Sequence, residues 1–241
     1  MHTTRYRAAL STLLMATVLA TWRVAPVAAA TTIFSNSFDS QSTGALVTGP
    51  GANQFSGAKG LSRLRVENTV AASPPHALAV TVNGGGSAYA YKQYRRAYTT
   101  YALTFHLQLG AVFTVPHNHA LVLAQTVPLI SSKVGKVDVT LPADNRIRLD
   151  YFNSAGRQHY LWGRLAVHRG SWHTVQLRET VGTGSGSLAL LVDGTTVASR
   201  GNLNLGPRGV TRFAVGEEYA PPGRGYAGQL YIDNVTAIST T

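Results

Sequence analysis

Trp172–Ser199 reads WHTVQLRETVGTGSGSLALLVDGTTVAS. Val175 and Leu177 fall on one face of an extended chain while Gln176 and Arg178 fall on the other. After the Gly/Ser stretch Gly182–Gly186, the residues Leu188, Leu190 and Val192 repeat that pattern, so the two halves form a hairpin with one apolar side. Asp193-Gly194 then supplies residues that tolerate positive φ, which a two-residue turn requires, and Thr195–Ala198 pairs back as a third strand. This predicts antiparallel sheet.

The same period of two recurs outward from the hairpin. It is clearest over Tyr98–Leu109, where Tyr101, Leu103, Phe105, Leu107 and Leu109 alternate with Thr104, His106 and Gln108. Further strands are predicted at Thr31–Phe38, Leu61–Glu67, His76–Val82, Ser87–Tyr94, Ala120–Gln125, Val134–Leu141 and Asn145–Phe152. Another contains Gln158, Tyr160, Trp162 and Arg164 on its exposed side, and Thr211–Glu218 and Gly228–Ile238 close the chain. Many short strands bounded by Gly, Pro and Asn, with no strand–helix alternation, predict an all-β fold of two packed antiparallel sheets.

Residues 1–30 are read separately. Arg5 and Arg7 precede the apolar run Ala8–Ala20, and Ala28-Ala29-Ala30 provides small residues for cleavage, the pattern of a secretory signal peptide. The run is shorter than the roughly 20 residues needed to span a bilayer. Residues 31–241 then form one sandwich domain, secreted or displayed at the cell surface. The sequence contains no cysteine, which excludes a disulfide-knot scaffold. The 21 basic residues, less Arg5, Arg7 and Arg23, still outnumber 10 acidic ones, a balance that favours acidic partners. No helix-turn-helix or zinc-finger spacing accompanies that charge, so nucleic acid is not the expected partner.

The order W-H-x-V-x-L … L-V-D-G over Trp172–Gly194 resembles the laminin G-like branch of the concanavalin A-like lectin/glucanase superfamily. Phe38-Asp39 near the start, and Gly228 with Tyr231-Ile232-Asp233-Asn234-Val235 near the end, extend the resemblance. It implies a jelly-roll β-sandwich whose first and last strands pair. It also implies a structural calcium ion near that pairing, with Asp39 and Asp233 as ligands and backbone oxygens from Ser40–Gly44 completing a shell of six to eight oxygens.

Sugar-binding members of the superfamily stack aromatic rings on pyranose faces and fix hydroxyls with polar side chains. Here the exposed side of the long strands offers His106, Gln108, Arg146, Arg148, Asp150, Tyr160 and Trp162 as one cluster, with arginine forks suited to an acidic glycan. Arg146 and Asp150, four apart on one face, are expected to neutralise each other. The reading is an exported, non-catalytic, lectin-like domain that recognises a polysaccharide or cell-surface glycan.

The alternatives are a polysaccharide lyase or glycoside hydrolase of the same fold, and a structural or adhesive surface protein. A retaining glycosidase needs two carboxyl groups roughly 5 to 5.5 Å apart. The superfamily motif E-x-D-x-x-E is absent, and adjacent Glu217 and Glu218 must point to opposite faces. Tyr151–Gly156 resembles the Y-F-K-A-G segment of alginate lyases, with Asn153 in place of lysine and Ser154 inserted, but the companion motifs are missing. His117-Asn118-His119 follows Pro116 in a turn and is not read as a nuclease motif.

Overall fold

The computed structural model describes residues 29–128, 133–221 and 225–240. The expected leader therefore lies outside the described residues, apart from Ala29 and Ala30. In chain order the strands begin with β1 (Ala30–Asn36), β2 (Gly44–Ala45), β3 (Gly57–Lys59), β4 (Leu64–Glu67), β5 (Ala77–Val82), β6 (Ala88–Tyr98), β7 (Thr100–Leu109) and β8 (Ala120–Val127). They continue with β9 (Val137–Pro142), β10 (Arg146–Phe152), β11 (Gln158–Ala166), β12 (Trp172–Thr180), β13 (Thr183–Val192), β14 (Thr195–Asn204), β15 (Val210–Tyr219) and β16 (Gly228–Thr240). Among the described residues the helical content is one 3-10 turn, Leu61–Arg63.

Two sheets result. The nine-stranded one runs β14-β13-β12-β7-β16-β5-β4-β2 with β1 added on β16, and the seven-stranded one runs β11-β10-β9-β8-β15-β6-β3. Their inner faces meet in one core. Tyr101, Leu103, Phe105, Leu107 and Leu109 of β7 are buried, as their alternation predicted, and they join Leu121, Leu123, Val137, Val139, Ile147 and Leu149 of the other sheet. Phe34, Phe55 and Phe213 close one end of this core with ring centroids 5.0 to 6.1 Å apart, mostly edge-to-face.

The hairpin that fixes the fold forms as read, with two refinements. Asp193 (φ 50°) and Gly194 (φ 77°) make the tight turn between the paired residues Val192 and Thr195. The Gly/Ser stretch is not a free loop, because Thr183 and Gly186 already pair with Asn204 and Leu203 at irregular register. Trp172-His173 and Asp193-Gly194 are tied together across β12 and β13. His173 Nδ1 lies 2.7 Å from Asp193 Oδ2, Thr174 N donates to Asp193 Oδ1 at 2.8 Å, and His168 N donates to His173 Nε2 at 2.9 Å. Since Nε2 accepts, this network assigns the ring proton to Nδ1, which donates to Asp193.

Leu61–Glu67 departs from its reading as one strand. Gly60 adopts φ 64° and starts the 3-10 turn, from which Arg63 donates to Glu217 Oε2, to Gly86 O and to Asn83 Oδ1. The guanidinium thereby ties the turn of Asn83 and Gly86 to β15, and only Leu64–Glu67 pairs as strand. Glu217 is buried against Arg63, whereas Glu218 faces outward, so the two glutamates do diverge.

Candidate functional site

β10 and β11 pair with Arg148 opposite Trp162 and Asp150 opposite Tyr160. Ile147, Leu149 and Tyr151 are buried in the core, so Arg148 and Asp150 share the outer face of the seven-stranded sheet with the rings of β11. Gly163 permits the close approach of these strands, since a methyl group there would collide with the Ile147 carbonyl oxygen. Arg148 donates through Nε to Asp150 Oδ1 (2.7 Å) and through Nη2 to Asp150 Oδ2 (3.0 Å). Its guanidinium then lies 4.9 Å from the Tyr160 ring centroid and 4.8 Å from that of Trp162. Both rings remain about half exposed, 49% for Tyr160 and 53% for Trp162. An aspartate thus fixes the guanidinium, and the guanidinium fixes two rings that stay open to solvent.

Beside this platform the sheet face becomes an enclosed polar floor. Asp138, Thr140 and Asp150 are only 4%, 1% and 5% exposed although they belong to the outward-facing set. They line a hollow of about 580 Å³ with Gln125, Lys136 and Glu218. Asp138 is held by Lys136 Nζ at 2.9 Å and by Gln125 Nε2 at 2.9 Å. Thr140 Oγ1 is buried here without a hydrogen-bond partner among the described residues. Burial pushes the Asp138 carboxyl up against the pull of Lys136 and Gln125. Burial and the neighbouring Asp138 charge push Glu218 up as well. A second hollow of about 500 Å³ shares Ala120 and Arg148 with the first and carries the surface on to Trp162, past the turn of His117, Asn118 and His119.

Four of the seven expected sugar-binding residues come together here: Arg148, Asp150, Tyr160 and Trp162. Arg146 lies on the same strand but turns to the β9–β10 loop, where Asp144 takes its Nε (2.8 Å) and Nη2 (2.7 Å). The expected Arg146–Asp150 pairing is therefore replaced by Arg146–Asp144 and Arg148–Asp150. His106 and Gln108 are on the other sheet. β7 pairs with β12 and β16, not with β10, because the chain crosses between the sheets after β6 and again after β7. There Gln108 Nε2 donates to Gly170 O at 2.6 Å, and His106 Nδ1 lies 3.2 Å from Asn234 Nδ2. Gln125, Lys136, Asp138 and Thr140 are not among the expected site residues, and Glu218 enters the sequence reading only as a glycosidase carboxylate paired with Glu217. The available signal was a polar residue interrupting an apolar strand, as in Val137–Pro142.

β1 and β16 pair antiparallel from Ala30↔Thr240 to Asn36↔Val235, and Asp39 beyond that ladder is near enough for its charge to act on Asp233. Asp233 accepts from the backbone N–H groups of Ala72 (3.0 Å), Ser73 (2.9 Å) and Asn234 (2.6 Å), while Asp39 Oδ1 accepts from His76 N at 3.2 Å. Burial raises the Asp233 carboxyl, those N–H groups pull it down, and the Asp39 charge raises it further. Ser73 Oγ and Asn234 Oδ1, 3.1 Å apart, lie beside the same carboxylate. These oxygens fall short of the six to eight that calcium takes, and among the described residues no group of three or more His, Asp or Glu side chains gathers as a metal site.

No protein-family model matches the sequence, and no curated protein matches it. Solved structures do share its fold. An endo-β-1,4-glucuronan lyase from the fungus Trichoderma reesei superposes with a TM-score of 0.60 at 15% identity, over 83% of this chain and 95% of that one. The cellulose-induced protein Cip1 gives 0.57 at 13% identity, over 86% and 97%. The alginate lyase vAL-1 from Chlorella virus gives 0.55 at 8% identity, over 77% and 100%. At such identities the likeness is one of fold.

Proposed function

We propose that this concanavalin A-like jelly-roll sandwich is an exported, non-catalytic carbohydrate-binding domain that holds a polysaccharide segment along the outer face of its seven-stranded sheet. The observation that carries the reading is the platform of Tyr160 and Trp162, half exposed over a guanidinium that Asp150 holds in place. Rings of this kind offer a flat apolar surface to the C–H face of a pyranose, and the enclosed polar floor alongside offers donors and acceptors to its hydroxyls. Both β10 arginines are engaged by aspartates, so the β10 side of the groove meets a ligand with neutralised pairs. Lyases named for glucuronan and alginate share the fold and make polysaccharides the first ligand class to test. Calcium at Asp39 and Asp233 would relieve the repulsion of two neighbouring carboxylates and pin the ends of the chain.

The test is a glycan array with the intact protein, Trp162→Ala and Arg148→Ala. Binding that disappears in both variants while their melting temperatures hold supports the proposal; binding unchanged in both removes the platform from it. Reducing ends or unsaturated products released from any bound glycan would replace the lectin reading with an enzymatic one, for which Glu218 and Asp138 are the titratable groups in place.

A further inference from the structure

A guanidinium without an ion pair among the described residues also lies on the opposite side of the molecule, where a hollow surrounds it. Across the outer face of the nine-stranded sheet, one row of paired residues reads Ile238, Ala102, Arg178, Ala189 and Ser199 on β16, β7, β12, β13 and β14. Arg178 thus rises between two alanines, which are too short to cover it. The row beside it, Thr100, Thr180 and Ser187, carries only hydroxyls. Small side chains in the middle of an exposed sheet leave a hollow of about 460 Å³, with Arg200 at its edge.

Arg178 is oriented as well as exposed. Its Nε donates to Gln176 Oε1 at 2.6 Å, and Gln176 Nε2 in turn donates to Thr104 Oγ1 at 2.9 Å. This chain holds the Nε edge of the fork and leaves both terminal nitrogens without a protein acceptor among the described residues. Neither Arg178 nor Arg200 forms an ion pair among the described residues, in contrast to Arg63, Arg146 and Arg148. Glu179, the acidic residue of the lining, points into the core to Thr126. A pre-oriented, unpaired guanidinium over an apolar floor with a hydroxyl rim is complementary to a ring that bears a carboxylate or sulfate.

We propose that this hollow is a second ligand site, specific for an acidic sugar residue, with Arg178 as the anion-binding group. It goes beyond the groove on the other sheet and does not depend on it. Together the two faces would let one molecule bridge two glycan strands.

Backbone amide chemical-shift mapping of the intact protein tests the site, with a short glucuronic acid oligomer, a neutral glucose oligomer of equal length, and inorganic sulfate as probes. The acidic oligomer is expected to shift the amides of Ala102, Arg178 and Ala189. Arg178→Ala should weaken that binding by about tenfold or more, the loss of a charge-assisted hydrogen-bond pair, and added salt should weaken it too. Trp162→Ala should leave it unchanged, so failure of the groove and failure of this site are read separately. Absence of these shifts, equal binding by Arg178→Ala, equal response to the neutral oligomer, or sulfate binding as tightly as the oligomer would each overturn the assignment.

Discussion

Glu179 provides the sharpest test of how this sandwich is held together. It sits on the inner face of β12, opposite Tyr101 of β7, and reaches across the core to the other sheet. Thr126 Oγ1 donates to its Oε2 at 2.7 Å, while Oε1 is buried with no partner. Burial pushes this carboxyl from 4.5 up to about 7, against the smaller pull of the Thr126 hydroxyl. Because the folded-state value is raised, the proton stabilises the fold fully below the unfolded value, and that contribution is lost as pH rises through about 7. The gap corresponds to about 3 kcal/mol, at roughly 1.4 kcal/mol per pH unit. Glu179→Gln keeps an acceptor for Thr126 and cannot ionise. Denaturant titrations of both proteins from about pH 5 to about pH 8.5 should therefore diverge, with the variant gaining about 3 kcal/mol on the native protein across that range. Glu217, also raised to about 7 by burial against the pull of Arg63, titrates in both proteins and cancels in the difference. Parallel pH profiles would refute the argument, since they would mean that Glu179 is hydrated or paired.

Three further outcomes are expected. His173→Ala removes the clamp to Asp193 and His168 and should lower stability by about 1–3 kcal/mol without changing glycan affinity; a loss of binding at full stability would contradict the structural role given to the W-H … D-G pair. The His173 hydrogen bond and the Thr174 N–H outweigh desolvation to hold the Asp193 carboxyl below its ordinary value, so its contribution is present above that value and fades on acidification below it. Asp193→Asn should then flatten the acid limb of the stability curve measured by circular dichroism. A chelator should lower the melting temperature, and added calcium restore it, in the native protein but not in Asp39→Asn; a melting temperature indifferent to both would remove calcium from Asp39 and Asp233.

The architecture was legible because its signal is local. Buried and half-buried residues alternate along β7 without a break, and Asp193-Gly194 names its own turn type. Tyr160 and Trp162 were legible beside Arg148 and Asp150 for a related reason, since a short turn at Asn153–Gly156 forces β11 back along β10. His106 and Gln108 show where this reasoning stops. Alternation tells which side of a strand is polar, not which sheet the strand joins, and the crossovers of a jelly roll separate strands that are close in sequence. Asp138 and Thr140 alternate with apolar residues along β9, which places them on its outer face, but only the pairing of β8, β9 and β10 gathers them with Gln125 and Asp150 into one floor.

The pairing of β1 with β16 has a mechanical consequence. Ala30 lies beside Thr240 in antiparallel register, so tension applied at these two points would peel the outer ribbon from its neighbour one hydrogen bond at a time, a weak response compared with sliding whole ladders past each other.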